Sequence, residues 1–330
     1  MRNIRIANVP WHVAHQAELY KVPGTEWFHV SNSVRRWGKD KKFRVKPDNV
    51  HEVPHYEPGK YDLAVLHVDQ QCVDPTLGKS RLFRELNEAI TDIPKIIINH
   101  GTPFWPESYT TELIKAKMKT LIGSAPYVVV NSHRAKEMWG ELGRGVTTII
   151  HGMDVDEWFD HPKEPRVITT LSPAGLDRYY NRNLLIAVKE KLKERGIEHC
   201  WIQVDWKAND FDDYRDFIGR SLLYFNPTLE SPMPRSRTEA MLSGSCAISL
   251  PNHGAEQFIQ NGVNGFHVPN NPVAVADLIE GLLDPKMYRK VVEIGQRGKA
   301  TARELFRKER FQAEWRTLLE RVLAENGKTL

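Results

Sequence analysis

The feature that most constrains the fold is an alternation of short apolar runs with helical patterns along most of the chain. The runs are rich in β-branched residues, and segments with helical spacing, such as residues 80–90 and 111–121, lie between them. Buried strands that alternate with helices are typical of parallel βα units, because each parallel strand needs a crossover connection. The pattern therefore predicts an α/β chain with doubly wound sheets. The predicted strands are residues 4–9, 27–31, 63–68, 95–99, 127–131, 147–150, 167–171, 200–204, 222–226 and 246–250.

Length and composition predict two domains. The 330 residues exceed one domain of ordinary size, and 41% hydrophobic with 27% charged residues is typical of a soluble globular protein. A proline-containing segment at 160–165 separates two groups of strands, so we predict a boundary between residues 162 and 163. The three cysteines are scattered, and the sequence begins with a short strand pattern instead of a long apolar segment. These features favour a cytoplasmic protein without a signal peptide.

One stretch, residues 224–246, combines a strand end, a proline-rich turn and a helix start. Ligands bind at such crossings in open α/β sheets, and a helix N-terminus suits a phosphate. We expect this helix to begin near Thr238. Carboxylates and guanidinium groups, which suit sugar hydroxyls and phosphate oxygens, flank the turn: Glu230, Arg235, Arg237 and Glu239. The alternative is an exposed loop before an ordinary capped helix, with Ser236 or Thr238 as its cap.

The motifs of the second half resemble those of the group 1 retaining glycosyltransferases. They are Pro-Thr-Leu-Glu at 227–230, Thr-Glu-Ala-Met-Leu-Ser-Gly-Ser-Cys-Ala-Ile-Ser at 238–249 and Asn-Gly-Val-Asn-Gly-Phe-His-Val-Pro at 261–269. The resemblance implies the GT-B fold, with two Rossmann-like domains facing a central cleft, and a UDP- or GDP-sugar as donor. Residues 1–162 would bind the acceptor and residues 163–310 the donor. The terminal helix, residues 311–330, would return to the first domain.

The resemblance also assigns roles to the two carboxylates. In the family, the first Glu of a Glu-x7-Glu motif touches the donor sugar and the second holds the ribose of the nucleotide. These roles fall on Glu230 and Glu239. Here eight residues separate the two, and the family's Gly-Phe-Gly turn is replaced by residues 231–237. The departure affects Glu230 more than Glu239, because Glu239 lies inside the matching Glu-Ala-Met block.

Histidines follow predicted strands in the first half of the chain. His100 comes directly after the strand at 95–99, where the resembling enzymes keep a histidine close to the donor sugar. The resemblance implies that role for His100, and His67 is a weaker candidate at the end of the preceding strand. His12 and His15 fall in a predicted loop and have no recognisable third ligand, so they predict no metal site. The alternative for these histidines is a hydrogen-bonded turn residue.

Two arginines, Arg178 and Arg182, stand before the first helix of the second half. The family uses an Arg and a Lys in this loop to neutralise the donor diphosphate, which implies that role for both arginines. Asp-x-Asp pairs occur at 154–156, at the domain junction, and at 210–212, in a predicted polar loop, and neither directly follows a predicted strand. We therefore expect side-chain charge in place of a metal, and no cofactor. Solvated surface arginines are the alternative.

A basic run lies in the predicted acceptor domain. It begins at Arg35, ends at Lys46 and holds seven basic residues and one acid, with Trp37 and Phe43 among them. The net charge of the whole chain is only +4, so basic residues are concentrated here. Basic and aromatic residues together favour an anionic partner, such as a lipid surface or a polynucleotide. A solvated loop is the alternative.

These observations predict a metal-independent retaining glycosyltransferase, with a hexosyl group as the leading choice, that acts on a glycan, lipid or other acceptor. The alternatives are transfer to hydroxymethylated DNA and a non-catalytic GT-B protein that binds sugars or nucleic acid. The predicted catalytic residues are His100, Glu230, Arg178 and Arg182. The predicted donor-binding residues are Glu239, Arg178, Arg182, Arg235, Arg237 and Thr238.

Overall fold

The structure, a computed structural model, describes residues 2–30, 45–104, 109–170, 180–203, 208–231, 233–251 and 257–328. The chain divides into two units. Unit 1 is Met1–Met153 with Lys308–Leu330, and unit 2 is Asp154–Arg307. The boundary predicted between residues 162 and 163 falls inside unit 2. Among the described residues, no helix is both long and apolar enough to span a membrane.

Unit 1 is built on a parallel sheet with the strand order β3-β2-β1-β4-β5-β6-β7. Its strands are β1 (Ile4–Asn8), β2 (Thr25–Val30), β3 (Val50–Val53), β4 (Leu63–Val68), β5 (Lys95–Asn99), β6 (Tyr127–Val130) and β7 (Val146–Thr148). Its first helices are α1 (Val13–Leu19), α2 (Gly78–Ala89), α3 (Thr111–Ile122) and α4 (His133–Trp139). The strand order reverses between β1 and β4. Their carboxyl ends therefore form the topological switch point, where ligands bind in sheets of this kind.

The bounds of β4 and β5 agree with those predicted from the sequence. The segment after β1 corrects a prediction, because the residues expected to form a loop form helix α1, with His12 as its N-cap. This helix is short but well anchored, since Ala17 and Leu19 are buried in the core of unit 1. Strand β3 was not predicted; it pairs with β2, and only its first residue, Val50, is buried.

Unit 2 is built on a second parallel sheet, with the strand order β12-β11-β10-β8-β9. Its strands are β8 (Glu164–Thr169), β9 (Trp201–Gln203), β10 (Ser221–Asn226), β11 (Cys246–Ser249) and β12 (Phe266–His267). Its helices are α5 (Arg182–Glu194), α6 (Phe211–Arg220), α7 (Arg235–Leu242), α8 (Pro272–Leu283) and α9 (Tyr288–Leu305). The order reverses between β8 and β10, so the switch point of this sheet lies at their carboxyl ends.

Helix α6 corrects a second prediction, because residues 210–212 were expected in a polar loop. Asp210 is the N-cap of this helix, and its carboxylate accepts a hydrogen bond from the Asp213 amide at 2.9 Å. The apolar residues Phe211, Tyr214 and Ile218 recur at helical spacing, which identifies the helix in retrospect.

The last helix, α10 (Lys308–Glu325), belongs to unit 1. Its apolar face includes Phe311, Trp315 and Leu319, which are buried in the same core as Ile4 and Trp27. Gly152 is required at one contact, because a Cβ at that position would lie 2.3 Å from Cβ of Phe311. This helix therefore closes one face of the first sheet.

Candidate active site

In unit 2, the Tyr224 side chain connects three elements at the switch point. Its hydroxyl lies 3.3 Å from Thr170 Oγ1, after β8, and 2.7 Å from Ser236 Oγ, in the first turn of α7. Burial raises the pKa of Tyr224 to about 12, so the hydroxyl keeps its proton at neutral pH. The hydrogen bonds hold the start of α7 against the carboxyl edge of the sheet.

The start of α7 differs from the prediction. The helix begins at Arg235 with Pro234 as its N-cap, and neither Ser236 nor Thr238 caps it. Pro234 has an extended ψ of 114° and no N–H to leave unpaired at the helix start. The Ser236 hydroxyl instead bonds to Tyr224, and Thr238 is buried inside the helix. The amides of the first turn therefore lie earlier in the chain than predicted.

Glu239 lies on α7, and two side chains hold its carboxylate. The Tyr214 hydroxyl donates to Glu239 Oε2 at 2.6 Å, and Arg235 Nε lies 3.3 Å from Glu239 Oε1. Glu239 is only 5% exposed, so its carboxylate has a defined orientation. The Glu239 carboxylate is therefore held at α7 by one side chain from α6 and one from its own helix.

Arg237 has no exposed surface, like its neighbour Thr238. Its guanidinium lies 3.3 Å from Ser249 Oγ and 3.3 Å from Met233 Sδ. The guanidinium carbon also lies 5.2 Å from the centroid of the Phe258 ring, within cation–π distance. Arg237 thus places a positive charge inside unit 2, beside the first turn of α7.

The other predicted residues of unit 2 are more accessible. Glu230 follows β10 in a bend and is partly exposed. Arg182 is the first residue of α5 and is exposed. Arg178 lies outside the described residues. Of the predicted donor residues, the structure therefore brings Arg235, Arg237, Thr238 and Glu239 together on α7.

In unit 1, His100 and His67 meet at the switch point. His67 Nδ1 lies 2.9 Å from His100 Nε2, and the rings stack with centroids 5.1 Å apart. Asn8 and Gln16, neither of which was predicted, reach the other side of His67, each with an amide nitrogen 3.1 Å from its Nε2. The position of Asn8 at the end of β1 was the only sequence signal for either residue.

The network continues away from His67 through Tyr20. The Tyr20 hydroxyl donates to Asn8 Oδ1 at 2.9 Å and lies against His29 Nε2. Burial lowers the pKa of His29 to about 3, because the charged imidazolium would lose its hydration. Burial and neighbouring histidines also lower the pKa of His67 and of His100 well below its ordinary value. The histidines of this edge are therefore neutral at physiological pH.

His12 and His15 lie beside His100 rather than in a separate loop. The His12 ring stacks on His100 with centroids 5.9 Å apart, and the His15 ring meets it edge-on at 5.2 Å. Within the part of the chain that the structure describes, these imidazoles belong to no group of three or more side chains that could hold a metal ion.

The turn that carries His100 requires glycine at position 101. A Cβ at Gly101 would lie 2.9 Å from the backbone nitrogen of Gln70 and 1.8 Å from its Oε1. The carbonyl of Gly101 accepts a hydrogen bond from Trp139 Nε1 at 2.8 Å, and the His100 amide donates to Val68 O at 2.8 Å. Close packing therefore holds the turn, and with it His100, against β4.

The two Asp-x-Asp pairs are engaged in local contacts. Asp156 forms an ion pair with Arg303 at 2.6 Å, and its amide lies 3.3 Å from Asp154 Oδ1. Asp210 caps α6, as described above, and Asp212 pairs with Arg215 on the same helix. Their positions are explained by turn and helix structure.

Comparison with known proteins gives a family for part of unit 2. A search of curated protein sequences found no match. A sequence model of the family described as "Glycosyl transferases group 1" matches residues 175–285. This match confirms the resemblance that the motifs indicated, and it includes helix α7 and the turn before it.

Solved structures that match the chain cover both units. HepE from Anabaena in complex with UDP is 13% identical and covers 96% of this chain and 99% of its own, with a TM-score of 0.69. HepE in complex with UDP-glucose is 14% identical, with 96% and 100% covered and a TM-score of 0.70. Sucrose-phosphate synthase from Thermosynechococcus elongatus is 12% identical, with 98% and 100% covered and a TM-score of 0.71.

At these identities the structural likeness establishes the fold, which is the predicted GT-B fold with two Rossmann-like units. The sequence match supplies a family, which the fold alone does not, because one fold hosts many functions. The chain therefore has the GT-B fold and carries, at residues 175–285, the domain of the group 1 glycosyltransferases, which identifies it as a glycosyltransferase.

Proposed function

We propose that this chain transfers a sugar from a nucleoside diphosphate donor to an acceptor with retention of anomeric configuration. The observation that carries the proposal is the charged group on α7, in which Glu239, Arg235 and Arg237 lie together within the matched region. A carboxylate accepts hydrogen bonds from hydroxyls, and guanidinium groups bind phosphate oxygens, so the two together suit a nucleoside diphosphate.

On the donor side, Glu239 accepts hydrogen bonds from the ribose hydroxyls. Tyr214 and Arg235 already orient its carboxylate, so little conformational freedom is lost when the ribose binds. Arg235 and the first amides of α7 supply donors for the diphosphate, and the buried Arg237 adds positive charge beside them. Arg178 and Arg182 add charge that stabilises the diphosphate as it leaves.

The donor nucleotide is uridine or guanosine diphosphate. HepE, which shares the fold, was solved with UDP and with UDP-glucose, and this favours uridine and a hexose for the present chain. Guanosine is the second choice, because Glu239, Arg235 and Arg237 would contact ribose and phosphate and would not distinguish the bases.

On the sugar, Glu230 and His100 are the proposed contacts. His100 is neutral at physiological pH, so it acts as a hydrogen-bond partner of a sugar hydroxyl and not as a cation. Glu230 is partly exposed at the end of β10, where its carboxylate is accessible to a hydroxyl. Both residues would position the anomeric carbon relative to the acceptor.

We propose that the reaction needs no divalent metal. The arginines of unit 2 provide the positive charge that a metal would otherwise bring to the diphosphate. The acceptor is a glycan, a lipid or another hydroxyl-bearing molecule. Hydroxymethylated DNA is an alternative that rests on the basic run from Arg35 to Lys46, most of which lies outside the described residues.

Calorimetry and turnover together test the proposal. We expect UDP or GDP to bind the full chain and one UDP- or GDP-sugar to be consumed, with equal rates in EDTA and in magnesium. The anomeric signal of the product in NMR reports retention or inversion. Glu239→Gln should weaken nucleotide binding, whereas the exposed Glu190→Gln in the same matched region should not. Absence of both nucleotide binding and donor consumption across the panel would overturn the proposal.

A further inference from the structure

The hydrogen bonds around His67 determine which of its ring nitrogens carries the proton. Two amide nitrogens face His67 Nε2, Asn8 Nδ2 and Gln16 Nε2, each at 3.1 Å. An amide nitrogen only donates hydrogen bonds. Nε2 of His67 is therefore an acceptor. This assignment depends on the orientation of the Asn8 and Gln16 amide groups.

The surroundings confirm both amide orientations. Gln16 Oε1 accepts from the backbone amides of Trp11 and His12 at 2.7 and 2.9 Å, so its nitrogen must point the other way, toward His67. Asn8 Nδ2 donates to the carbonyl of Val65 at 2.8 Å. Reversing either amide would set oxygen against oxygen or N–H against N–H. The orientations thus follow from backbone groups whose roles are invariant.

With Nε2 as an acceptor, neutral His67 carries its proton on Nδ1. This N–H donates to His100 Nε2, 2.9 Å away. Nε2 of His100 is then also an acceptor, and the proton of neutral His100 lies on its own Nδ1. Protonated His67 would turn an N–H toward two amide donors, so the geometry opposes the charged form. The nearby imidazole and cationic groups also oppose the charged form, because each lowers the pKa of His67 or of His100: His12, His15, His29 and Lys79.

We propose that His67 is a positioning residue, which holds His100 as the Nδ1–H tautomer because Asn8 donates to His67 Nε2 and the Gln16 amide nitrogen faces the same atom. The proposal rests on the proposed function, in which His100 contacts the transferred sugar. Among the described residues, no hydrogen-bond partner is found for His100 Nδ1. Its N–H is therefore the donor that His100 offers to an oxygen of the sugar, in a fixed direction.

The tautomer is measurable without any substrate. We expect long-range nitrogen–proton NMR spectra of the full chain, labelled with 15N-histidine at neutral pH, to show both His67 and His100 as Nδ1–H tautomers. Resonances are assigned from spectra of His67→Asn and His100→Ala. Detection of His100 as the Nε2–H tautomer, which predominates for free imidazole in water, would overturn the proposal whether or not the protein transfers sugar.

Two substitutions of His67 separate positioning from structural support. An asparagine amide lies near the Nδ1 position of histidine and keeps a donor for His100, whereas a glutamine amide lies near the Nε2 position and does not. We expect His67→Gln to lower kcat about tenfold with little change in the donor KM, the size of one lost hydrogen bond. We expect His67→Asn to stay within about threefold of the unmodified protein.

The control is His133→Asn, which alters an exposed histidine of unit 1. Melting temperatures show whether each variant is folded. Equal losses of kcat in His67→Asn and His67→Gln, with His100 still an Nδ1–H tautomer in both, would show that His67 only supports the fold. If neither variant folds, the tautomer of the unmodified protein decides. A correct tautomer with full transfer by His100→Ala would instead contradict the proposed function and leave the tautomer assignment standing.

Discussion

The switch-point edges of the two sheets are built from different chemistry. In unit 1, the edge consists of neutral imidazole, amide and phenol groups joined by buried hydrogen bonds, from His29 to His100. In unit 2, it carries formal charges, with Glu239 between Arg235 and the Tyr214 hydroxyl and with Arg237 buried nearby. The same position in two related sheets thus serves two kinds of contact.

The difference shows how each edge responds to its environment. A buried imidazole stays neutral because desolvation penalises its charged form. Stability that rests on the first edge therefore falls as the pH falls. An Arg–carboxylate group keeps its charges across the neutral range and acts on anions. Perturbing pH, single side chains and salt should therefore affect the two edges separately.

The largest expected effect is on stability at mildly acidic pH. The pKa of His29 is lowered to about 3 and that of His67 lies well below its ordinary value, so both are neutral in the folded chain. Their stabilising effect is present above about pH 6.5, the pKa in the unfolded chain, and is lost as the pH falls toward the folded pKa. Between about pH 6.5 and 5, each should lower the free energy of unfolding by about 1.4 kcal/mol per pH unit.

Urea unfolding at several pH values measures this dependence. His67→Asn should reduce the change in the free energy of unfolding per pH unit by the contribution of one histidine. His133→Asn, at an exposed position, should leave it unchanged. Identical slopes in the unmodified chain and in His67→Asn would contradict a buried neutral His67.

The next effect in size is a loss of sugar transfer while nucleotide binding is kept. His100→Ala should lower kcat about a hundredfold, as removal of one preorganised hydrogen-bond donor commonly does. Its affinity for the nucleoside diphosphate should stay near that of the unmodified protein, because the charges of unit 2 are untouched. Single-turnover kinetics and calorimetry on the same preparation measure both. A folded His100→Ala protein with an unchanged rate would remove His100 from the reaction.

The reverse pattern is expected in unit 2. Glu239→Ala should weaken nucleoside diphosphate binding by about 1–3 kcal/mol, because the ribose hydroxyls lose a buried acceptor. Tyr214→Phe keeps the carboxylate and removes one hydrogen bond that orients it, so about 1 kcal/mol is expected. Calorimetric affinity is the measurement for both. If Tyr214→Phe bound the nucleotide normally while Glu239→Ala did not, Tyr214 would have no part in orienting the carboxylate.

The smallest effect is that of salt. If the basic run from Arg35 to Lys46 binds an anionic acceptor, the acceptor KM should rise between low and physiological salt, because such contacts release counterions. Replacing Arg35, Arg36, Lys41 and Lys42 with Gln should flatten that dependence. The donor KM should change less, since Glu239 and Arg237 are buried. An acceptor KM independent of salt would indicate a solvated run and a neutral acceptor.

Local patterns predicted much of the framework. The bounds of β4 and β5 follow from runs of buried β-branched residues, and the ends of these strands place His67 and His100 at one edge of the sheet. The Glu-Ala-Met block indicated the family, whose model matches residues 175–285. These features depend on residues that are near one another in the chain, so periodicity and motifs suffice to detect them.

The errors have two causes. Helix α7 was expected to begin near Thr238, but Ser236 bonds to Tyr224 on the neighbouring strand and the helix begins at Arg235; helix α1 was assigned to a loop because its stability comes from burial in unit 1. In these two cases distant contacts decided the structure, whereas α6 has an Asp210 cap and a helical spacing of apolar residues that the prediction overlooked.

The sequence by itself determined the α/β class, most of the strands and the types of residue at each switch point. Only the tertiary structure decided how those residues pair: His67 with His100, His67 also with Asn8 and Gln16, and Glu239 with Tyr214. Strand formation depends on short-range burial patterns, whereas a hydrogen bond between distant residues depends on strand order and register. The protonation of the histidines follows from those distant contacts, and it therefore becomes definite only in the folded chain.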